Sequence, residues 1–246
     1  MYTGAVRSLD WYDIPVATVD LAQLIFVSAN SSSKPFKFPP TRFDTEFQPR
    51  VGVRGSQTFI GQIGDAGAAA FLGIRIAVNL GSDLLGGNVT SEDYHRTFWF
   101  YKSIVYTYSV TTLTKNLVDR TRPDGSDAGS FFSGHSSAAF CTASYVSREL
   151  HDWFDRWETT RTNDLLRSTL KIGSSVGLYA GAAYVAYTRM YDEKHYFSDV
   201  AVGAVVGTVV GTLMYQRHWN AEESAQQHFS LLVSHHTPIL CYTIRF

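Results

Sequence analysis

The sequence predicts an all-α protein, a bundle of five or six helices followed by a short C-terminal β-hairpin. Two 17-residue runs without Asp, Glu, Lys or Arg, Ile172–Thr188 and Val200–Gln216, are rich in Gly, Ala and Ser. Such small residues allow helices to pack closely, and residues 57–82 have the same character. The segment from Ser91 to about Leu117 adds a helix crowded with aromatic residues, which we assign mainly to the core.

The remaining segments give shorter signals. The apolar stretch Trp11–Val27 predicts an N-terminal helix, and the Ser- and Pro-containing stretch Ser31–Gly55 predicts a connecting loop. Residues 134 to about 150 return to helix. The tail differs, because Leu240, Tyr242, Ile244 and Phe246 fall on one side of an alternating pattern, which predicts the hairpin.

Composition excludes some classes of function. The 246 residues include 21 Lys plus Arg against 22 Asp plus Glu, so no overall basic field favours nucleic acid. Two cysteines, Cys141 and Cys241, cannot form a disulfide scaffold; they fit two buried thiols or a single bridge.

Export and membrane signals are weak. Residues 1–30 lack a signal-peptide pattern because charged residues interrupt the apolar ones. The two 17-residue runs reach only the lower limit for crossing a hydrocarbon core of about 30 Å. With a mean hydropathy of -0.08, the chain fits a soluble or membrane-associated bundle better than a multi-span membrane protein.

The first cluster with candidate chemistry contains Lys115 and Arg122-Pro123. Lys115 and Arg122 are seven residues apart, which is two helical turns, so we expect them to project from nearly the same face. Arg122 precedes a proline and should lie where the helix opens into a loop. A guanidinium there can donate two parallel hydrogen bonds to phosphate oxygens, and Lys115 adds a point charge. A basic helix end, with Asp119 and Arg120 paired at the surface, is the structural alternative.

The second cluster is Ser133-Gly134-His135, just ahead of an apolar run where a helix should begin. Backbone N–H groups at a helix start bind anions, and glycine lets the backbone approach a ligand closely. Ser133 offers a hydroxyl, and His135 can move a proton near neutral pH. A helix cap with a satisfied histidine is the alternative.

The third cluster contains Arg189, His195 and Asp199. His195 and Asp199 are four residues apart at the start of the last long helix and are therefore neighbours. The carboxylate can accept the proton of one imidazole nitrogen, so that the other keeps its lone pair for attack. Arg189 supplies a third cation. A local His–Asp pair without catalysis is the alternative.

Together, Lys-x6-Arg-Pro, Ser-Gly-His and Arg-x5-His-x3-Asp resemble the three signature motifs of the type 2 phosphatidic acid phosphatase (PAP2) superfamily, which includes bacterial acid phosphatases and vanadium haloperoxidases. The resemblance covers about residues 57–216. Phe132 and Thr188 depart from the pattern, where the family usually has proline and serine. We therefore divide the chain into an N-terminal segment and loop (1–56), a PAP2-like catalytic helical domain (57–218) and a tail with the hairpin (219–246).

The resemblance implies a role for each residue. His195 would attack phosphorus and form a phosphohistidine, Asp199 would orient His195, and His135 would protonate the leaving oxygen. The phosphoryl oxygens would be held by Lys115, Arg122, Ser133, Gly134 and Arg189. The three cations neutralise oxygen charge, so no metal or cofactor is expected; vanadate should bind the same pocket as a phosphate mimic.

The expected function is metal-independent hydrolysis of a phosphate monoester, carried by a phosphorylated small molecule or a lipid. Phosphatidate, polyprenyl phosphates, lipid A phosphates and small esters remain alternatives. The rival functions are a vanadium-dependent haloperoxidase and a non-catalytic envelope protein that keeps the pocket. The resemblance implies a bacterial, extracytoplasmic location in the cell envelope, periplasmic or membrane-associated. Association with a membrane surface and a homo-oligomer are both compatible with the sequence.

Overall fold

The computed structural model describes residues 34–85, 89–224, 229–234 and 237–242. The predicted helix Trp11–Val27 lies outside this part of the chain. The described elements follow in the order β1 (Phe36–Lys37), α1 (Arg42–Val51), α2 (Phe59–Leu84), α3 (Ser91–Leu117), β2 (Val118–Asp119), α4 (Gly134–Arg156), α5 (Glu158–Arg161), α6 (Asp164–Tyr191), α7 (Phe197–Ser224), β3 (Phe229–Ser234) and β4 (Thr237–Tyr242). The predicted helical class is confirmed.

Helix α4 is the central element, and it packs most extensively against α7 and α6. Glycines on α7 bring its backbone against α4: a Cβ atom at Gly207 would lie 2.0 Å from the Ser137 carbonyl oxygen. At Gly203 and Gly211 a Cβ would lie 2.6 Å from the carbonyl oxygens of Ser133 and Cys141. The glycines of α7 therefore allow the close helix packing that the sequence predicts.

The main hydrophobic core lies where α2, α3, α4 and α7 meet. Trp99, Phe100 and Tyr145 are almost completely buried, and the Tyr145 ring makes edge contacts with the rings of Phe100 and Tyr215. Tyr101, by contrast, is 45% exposed, so not every aromatic residue of α3 belongs to the core. The Phe100–Tyr145 contact packs α3 against α4, two of the helices that contribute to the candidate site.

The predicted loop Ser31–Gly55 is wrong in part, because it contains β1 and α1. Thr41 caps α1, and the side chain of Asp44 accepts hydrogen bonds from the Thr41 backbone N–H and hydroxyl, forming a capping box. β1 pairs in parallel with β2. The N-terminal segment is thus tied to the chain just after α3.

β3 and β4 pair antiparallel, with Phe229 opposite Tyr242 and Ser234 opposite Thr237. The connecting residues 235–236 and the end of the predicted second strand, 243–246, lie outside the described residues. The C-terminal hairpin, with the strands predicted from the sequence, therefore stays a prediction. The division of the chain into three regions also stays a prediction.

Candidate anion-binding site

The three sequence clusters meet in one cavity of about 310 Å³. Six of the predicted residues line it: Lys115, Arg122, Gly134, His135, Arg189 and His195. Lys115 comes from the last turn of α3, His135 from the first turn of α4, and Arg189 from the last turn of α6. The ends of separate helices therefore converge at one end of the bundle.

Lys115 and Arg122 do not share a helical face, contrary to the prediction. α3 ends at Leu117, and the chain then forms β2, so Arg122 reaches the cavity from a loop. Asp127 holds this loop: its carbonyl accepts the Arg122 backbone N–H at 2.9 Å, and its Oδ1 lies 2.9 Å from Arg122 Nε. Both side chains nevertheless line the same cavity.

Arg189 is 7% exposed and is held from α2. Its Nη1 donates to the Gly61 carbonyl at 2.7 Å and lies 3.8 Å from Asp192 Oδ2. Asp192 also accepts hydrogen bonds from the hydroxyl and backbone N–H of Thr58, which caps α2. A Cβ at Gly61 would lie 2.2 Å from Asp192 Oδ2, so only glycine fits where α2 meets this ion pair.

The first turn of α4 contributes Gly134 and His135 to the cavity wall. Ser133, predicted to contact phosphate, is buried and is the N-cap of α4, where its Oγ accepts the Ser136 N–H at 3.3 Å. The cavity lining does not include it. Amides in the first turn of a helix have no carbonyl partner within the helix, and together with the helix dipole they favour an anion at this position.

His195 is buried, and its Nδ1 lies 2.7 Å from the Ser130 carbonyl oxygen. A carbonyl can only accept, so Nδ1 carries the proton and Nε2 keeps its lone pair. Burial lowers the pKa of His195 to about 4, and the charges of Lys115 and Arg122 act in the same direction, while Asp199 opposes them. The imidazole is therefore neutral above about pH 4.

The Asp199 carboxylate does not bond directly to the imidazole, contrary to the prediction. Its Oδ2 lies 3.8 Å from His195 Nδ1, which is too far for a hydrogen bond. Oδ2 instead accepts the Ser130 hydroxyl at 2.5 Å and the Tyr196 N–H at 2.8 Å. Oδ1 lies 3.0 Å from Nη1 of Arg120, so the partner expected for this buried carboxylate is Arg120.

Sequence reasoning missed several residues of the site. Arg120 entered the sequence analysis only in the structural alternative, as a surface partner of Asp119, yet its side chain is completely buried. Ser130 was not singled out, and a lone serine in a loop gives no signal. Tyr108, Thr111 and Thr112 also line the cavity. Because they share one face of α3 with Lys115, helical spacing was the signal that would have found them.

Metal ligands do not cluster in the described part of the chain: no three His, Cys, Asp or Glu side chains there come together as a candidate site. The groups that face the cavity are basic, imidazole, hydroxyl and backbone groups, which suit an anion rather than a cation.

The fold and the cavity define a class of protein: a helical bundle with a cationic, histidine-bearing anion site at one end. The PAP2 superfamily model matches residues 96–223, more than half of the sequence, and the chain belongs to this superfamily. The resemblance inferred from the three motifs is confirmed.

Curated relatives match parts of the chain. A phospholipid phosphatase 2 of Bos taurus is 42% identical over 88 residues, which cover 34% of this chain and 26% of that protein. A PA-phosphatase related-family protein of Dictyostelium discoideum is 28% identical over 167 residues, 61% of this chain and 58% of that protein. Lipid A 1-phosphatase of Porphyromonas gingivalis is 32% identical over 99 residues, 39% and 18% respectively. The chain thus spans less than two thirds of each of these relatives. No solved structure matches the chain.

Proposed function

We propose that the chain is a metal-independent phosphatase that hydrolyses a lipid phosphate monoester through a phosphohistidine on His195. The observation that carries the proposal is the convergence of His195 with three basic side chains and a second histidine, His135, in one cavity. Phosphoryl transfer depends mainly on positioning and on neutralising the charge of the phosphoryl oxygens. Membership of the PAP2 superfamily and the names of the relatives support the same chemistry.

In the first step, Nε2 of His195 attacks phosphorus while Lys115, Arg122 and Arg189 bind the three non-bridging oxygens. The phosphorus–nitrogen bond forms as the bond to the leaving oxygen breaks. His135 donates a proton to that oxygen, so the product leaves as an alcohol. The Ser130 carbonyl holds the Nδ1 proton and stabilises the positive charge that develops on the imidazole.

In the second step, a water molecule attacks the phosphohistidine. The neutral His135 left by the first step accepts a proton from the water, a phosphorus–oxygen bond forms, and the phosphorus–nitrogen bond breaks. Inorganic phosphate leaves, and His195 regains its lone pair. The three cations act in both steps because the phosphoryl group keeps its charge throughout.

An apolar cavity beside the site supports a lipid substrate. It has a volume of about 270 Å³ and lies between α2, α4 and α6. Its wall includes Ala138 and Ala139, one turn after His135, and Val185, one turn before Arg189. An alkyl chain attached to a bound phosphate would find apolar surface within one helical turn of the reacting atoms.

Exposed apolar side chains support association with a membrane in the cell envelope. Val205, Val209 and Leu213 recur every fourth residue on α7 and are 63%, 49% and 50% exposed. Ile172 and Val176 form a similar stripe on α6. Residues 197–217 of α7 are long and apolar enough to cross a membrane. Stripes of this kind are suited to contact with lipid.

The proposal is tested with p-nitrophenyl phosphate in the presence of a chelator. The wild-type protein should hydrolyse it, and orthovanadate should inhibit competitively. His195→Ala should abolish turnover, and His135→Ala should lower kcat by about 10²–10⁴-fold, the usual contribution of a general acid. Turnover that appears only when a divalent metal is added would contradict the mechanism.

The lipid preference is tested separately by Ala139→Phe, which places a ring in the apolar cavity. This change should lower kcat/KM for a long-chain lipid phosphate by about tenfold or more, because apolar contacts are lost. Hydrolysis of p-nitrophenyl phosphate serves as the internal control and should be unchanged. An equal loss with both substrates would argue against an alkyl site in this cavity.

A further inference from the structure

The groups behind His195 form a buried chain of contacts that begins outside the region matched by the family model. We propose that Arg120, anchored by Asp44 of α1, and Ser130 are positioning residues for His195, and that Asp199 acts on the imidazole through Ser130 rather than directly. The proposal rests on the phosphatase function proposed above, but its geometry can be tested without turnover.

Arg120 is the centre of this chain of contacts. Its Nη2 donates to Asp44 Oδ2 at 2.7 Å and to Ser198 Oγ at 2.9 Å. Its Nη1 lies 3.0 Å from Asp199 Oδ1, and because neither atom makes a hydrogen bond, this contact is an ion pair. The guanidinium carbon also lies 5.0 Å from the ring centroid of Tyr196, a cation–π distance. One completely buried cation therefore bridges two completely buried carboxylates.

Ser130 connects Arg120 and Asp199 to the imidazole. Its backbone N–H donates to the Arg120 carbonyl at 3.0 Å, and its hydroxyl donates to Asp199 Oδ2 at 2.5 Å. Its own carbonyl accepts the Nδ1 proton of His195 at 2.7 Å. Ser130 is thus fixed by both residues on one side and fixes His195 on the other.

Asp44 makes α1 part of this arrangement. It accepts the Ser198 backbone N–H at 3.0 Å and the Ser198 hydroxyl at 2.7 Å, in addition to Arg120. Burial raises the pKa of Asp44, but the hydrogen bonds from Ser198 and Thr41 outweigh it and lower the pKa to about 2. Asp44 is therefore ionised near neutral pH, and its charge holds the guanidinium in place.

The charges around His195 determine how its pKa should respond. Lys115, Arg122, Arg189 and His135 face it from the cavity, and Asp199 lies behind it. Removing the Arg120 guanidinium, or the Ser130 hydroxyl, leaves the Asp199 charge less compensated. A less compensated carboxylate favours the imidazolium, so either change should raise the pKa of His195.

The test uses Ser130→Ala and Arg120→Gln in the full chain. We expect kcat to fall about 10–100-fold in each variant, as small misplacements near a reacting group do. KM should stay within about twofold because the three phosphate-binding cations remain. The ring titration of His195, followed by NMR with labelled histidine, should move upward from about pH 4. Ser130→Ala removes one hydroxyl and tests the proposal even if Arg120→Gln fails to fold.

Arg75→Gln is the matched control. Arg75 forms an ion pair with Glu149 whose side chains are 17% and 14% exposed, and it belongs to neither the cavity nor the chain of contacts described above. This variant should lose stability while keeping kcat and the His195 titration. If Arg120 had a purely structural role, Arg120→Gln should behave like Arg75→Gln. Its stability would fall, and the titration of His195 would not change.

Two results would overturn the proposal. One is a Ser130→Ala protein with wild-type kcat and wild-type His195 titration, which is the result expected if Asp199 oriented the ring directly. The other is an Arg120→Gln protein that folds and matches Arg75→Gln in both measurements. Failure of the proposed function can be told apart from failure of this proposal. If the wild-type protein had no phosphatase activity, the His195 titration would still be expected to shift in the two variants.

Discussion

At the scale of single residues, the environment of His195 suits it for nucleophilic attack. The ring is buried beside two cations, so its charged form is disfavoured, and its Nδ1 proton is held by a backbone carbonyl. A neutral imidazole with a fixed tautomer is ready to attack without first losing a proton. The same burial should also affect the stability of the fold.

The stability of the fold should depend on pH through His195. Its pKa is about 4 in the folded protein against 6.5 for the ordinary side chain, so the unfolded chain binds more protons between these values. The free energy of unfolding should therefore fall by about 3 kcal/mol as pH decreases from about 6.5 to about 4. Urea unfolding in buffers without phosphate measures this directly.

His195→Asn is the control for this measurement, because its amide can still donate to the Ser130 carbonyl but does not titrate. Its stability should change much less over the same pH range. Asp44 and Asp124, whose pKa values are lowered to about 2, affect stability mainly below pH 4 and do not interfere. A wild-type slope equal to that of His195→Asn would contradict the burial of a neutral imidazole.

At the scale of elements, the site depends on the register between α4 and α7. The Ser133 N–H donates to the Asp199 carbonyl at 3.1 Å, and the Ser136 hydroxyl donates to the Val200 carbonyl at 2.7 Å. These bonds join the first turns of the two helices. They require the close approach that the α7 glycines allow.

Alanine at Gly207 should disturb this register. Its Cβ would lie 2.0 Å from the Ser137 carbonyl oxygen, so the helices must separate, and we expect a loss of about 1–3 kcal/mol in unfolding free energy. Gly177 on α6 is the control, because a Cβ there meets no atom within 4 Å. Gly177→Ala should stabilise the helix by up to about 1 kcal/mol. Chemical unfolding measures the free energy of unfolding of both variants. Similar changes in the two variants would contradict the close packing of α7 against α4 as the reason for the glycine at position 207.

The helices of the bundle could be predicted because apolar and small-residue patterns are local in the sequence. A segment such as Val200–Gln216 predicts a helix from its own residues alone. Helix α1 was missed although its capping box, Thr41 with Asp44, is local in the sequence. What local patterns cannot show is that Asp44 is buried against a partner 76 residues away, Arg120. The same distance explains why the sequence suggested no partner for Arg120 other than its neighbour Asp119.

The candidate site could also be predicted only in part. Residues that face the anion, such as Lys115 and His195, belong to motifs with fixed spacing. Ser130 lies in a loop 65 residues before His195 in the sequence. The spacing within a motif therefore does not predict the contact between them. The basic side chains and histidines that face the cavity could thus be read from the sequence, whereas Arg120 and Ser130, which support His195 from behind, could not.

At the scale of the whole molecule, the bundle joins a polar pocket to apolar surfaces. The anion site lies where several helices end, an apolar cavity lies one turn away, and apolar stripes follow the exposed faces of α6 and α7. This arrangement suits a substrate with a charged head and an apolar tail. At the charged head, the proposed chemistry is the transfer of the phosphoryl group to His195.

The measurement that tests this claim most directly is the trapping of a phosphorylated enzyme. After brief reaction with a ³²P-labelled substrate, the wild-type protein should carry label that is lost in acid and retained in alkali. His195→Ala should carry none, whereas His151→Ala, which changes a histidine bonded to Ser175 on α6, should label like the wild type. Label that survives in His195→Ala, or that is stable in acid, would contradict a phosphohistidine at His195.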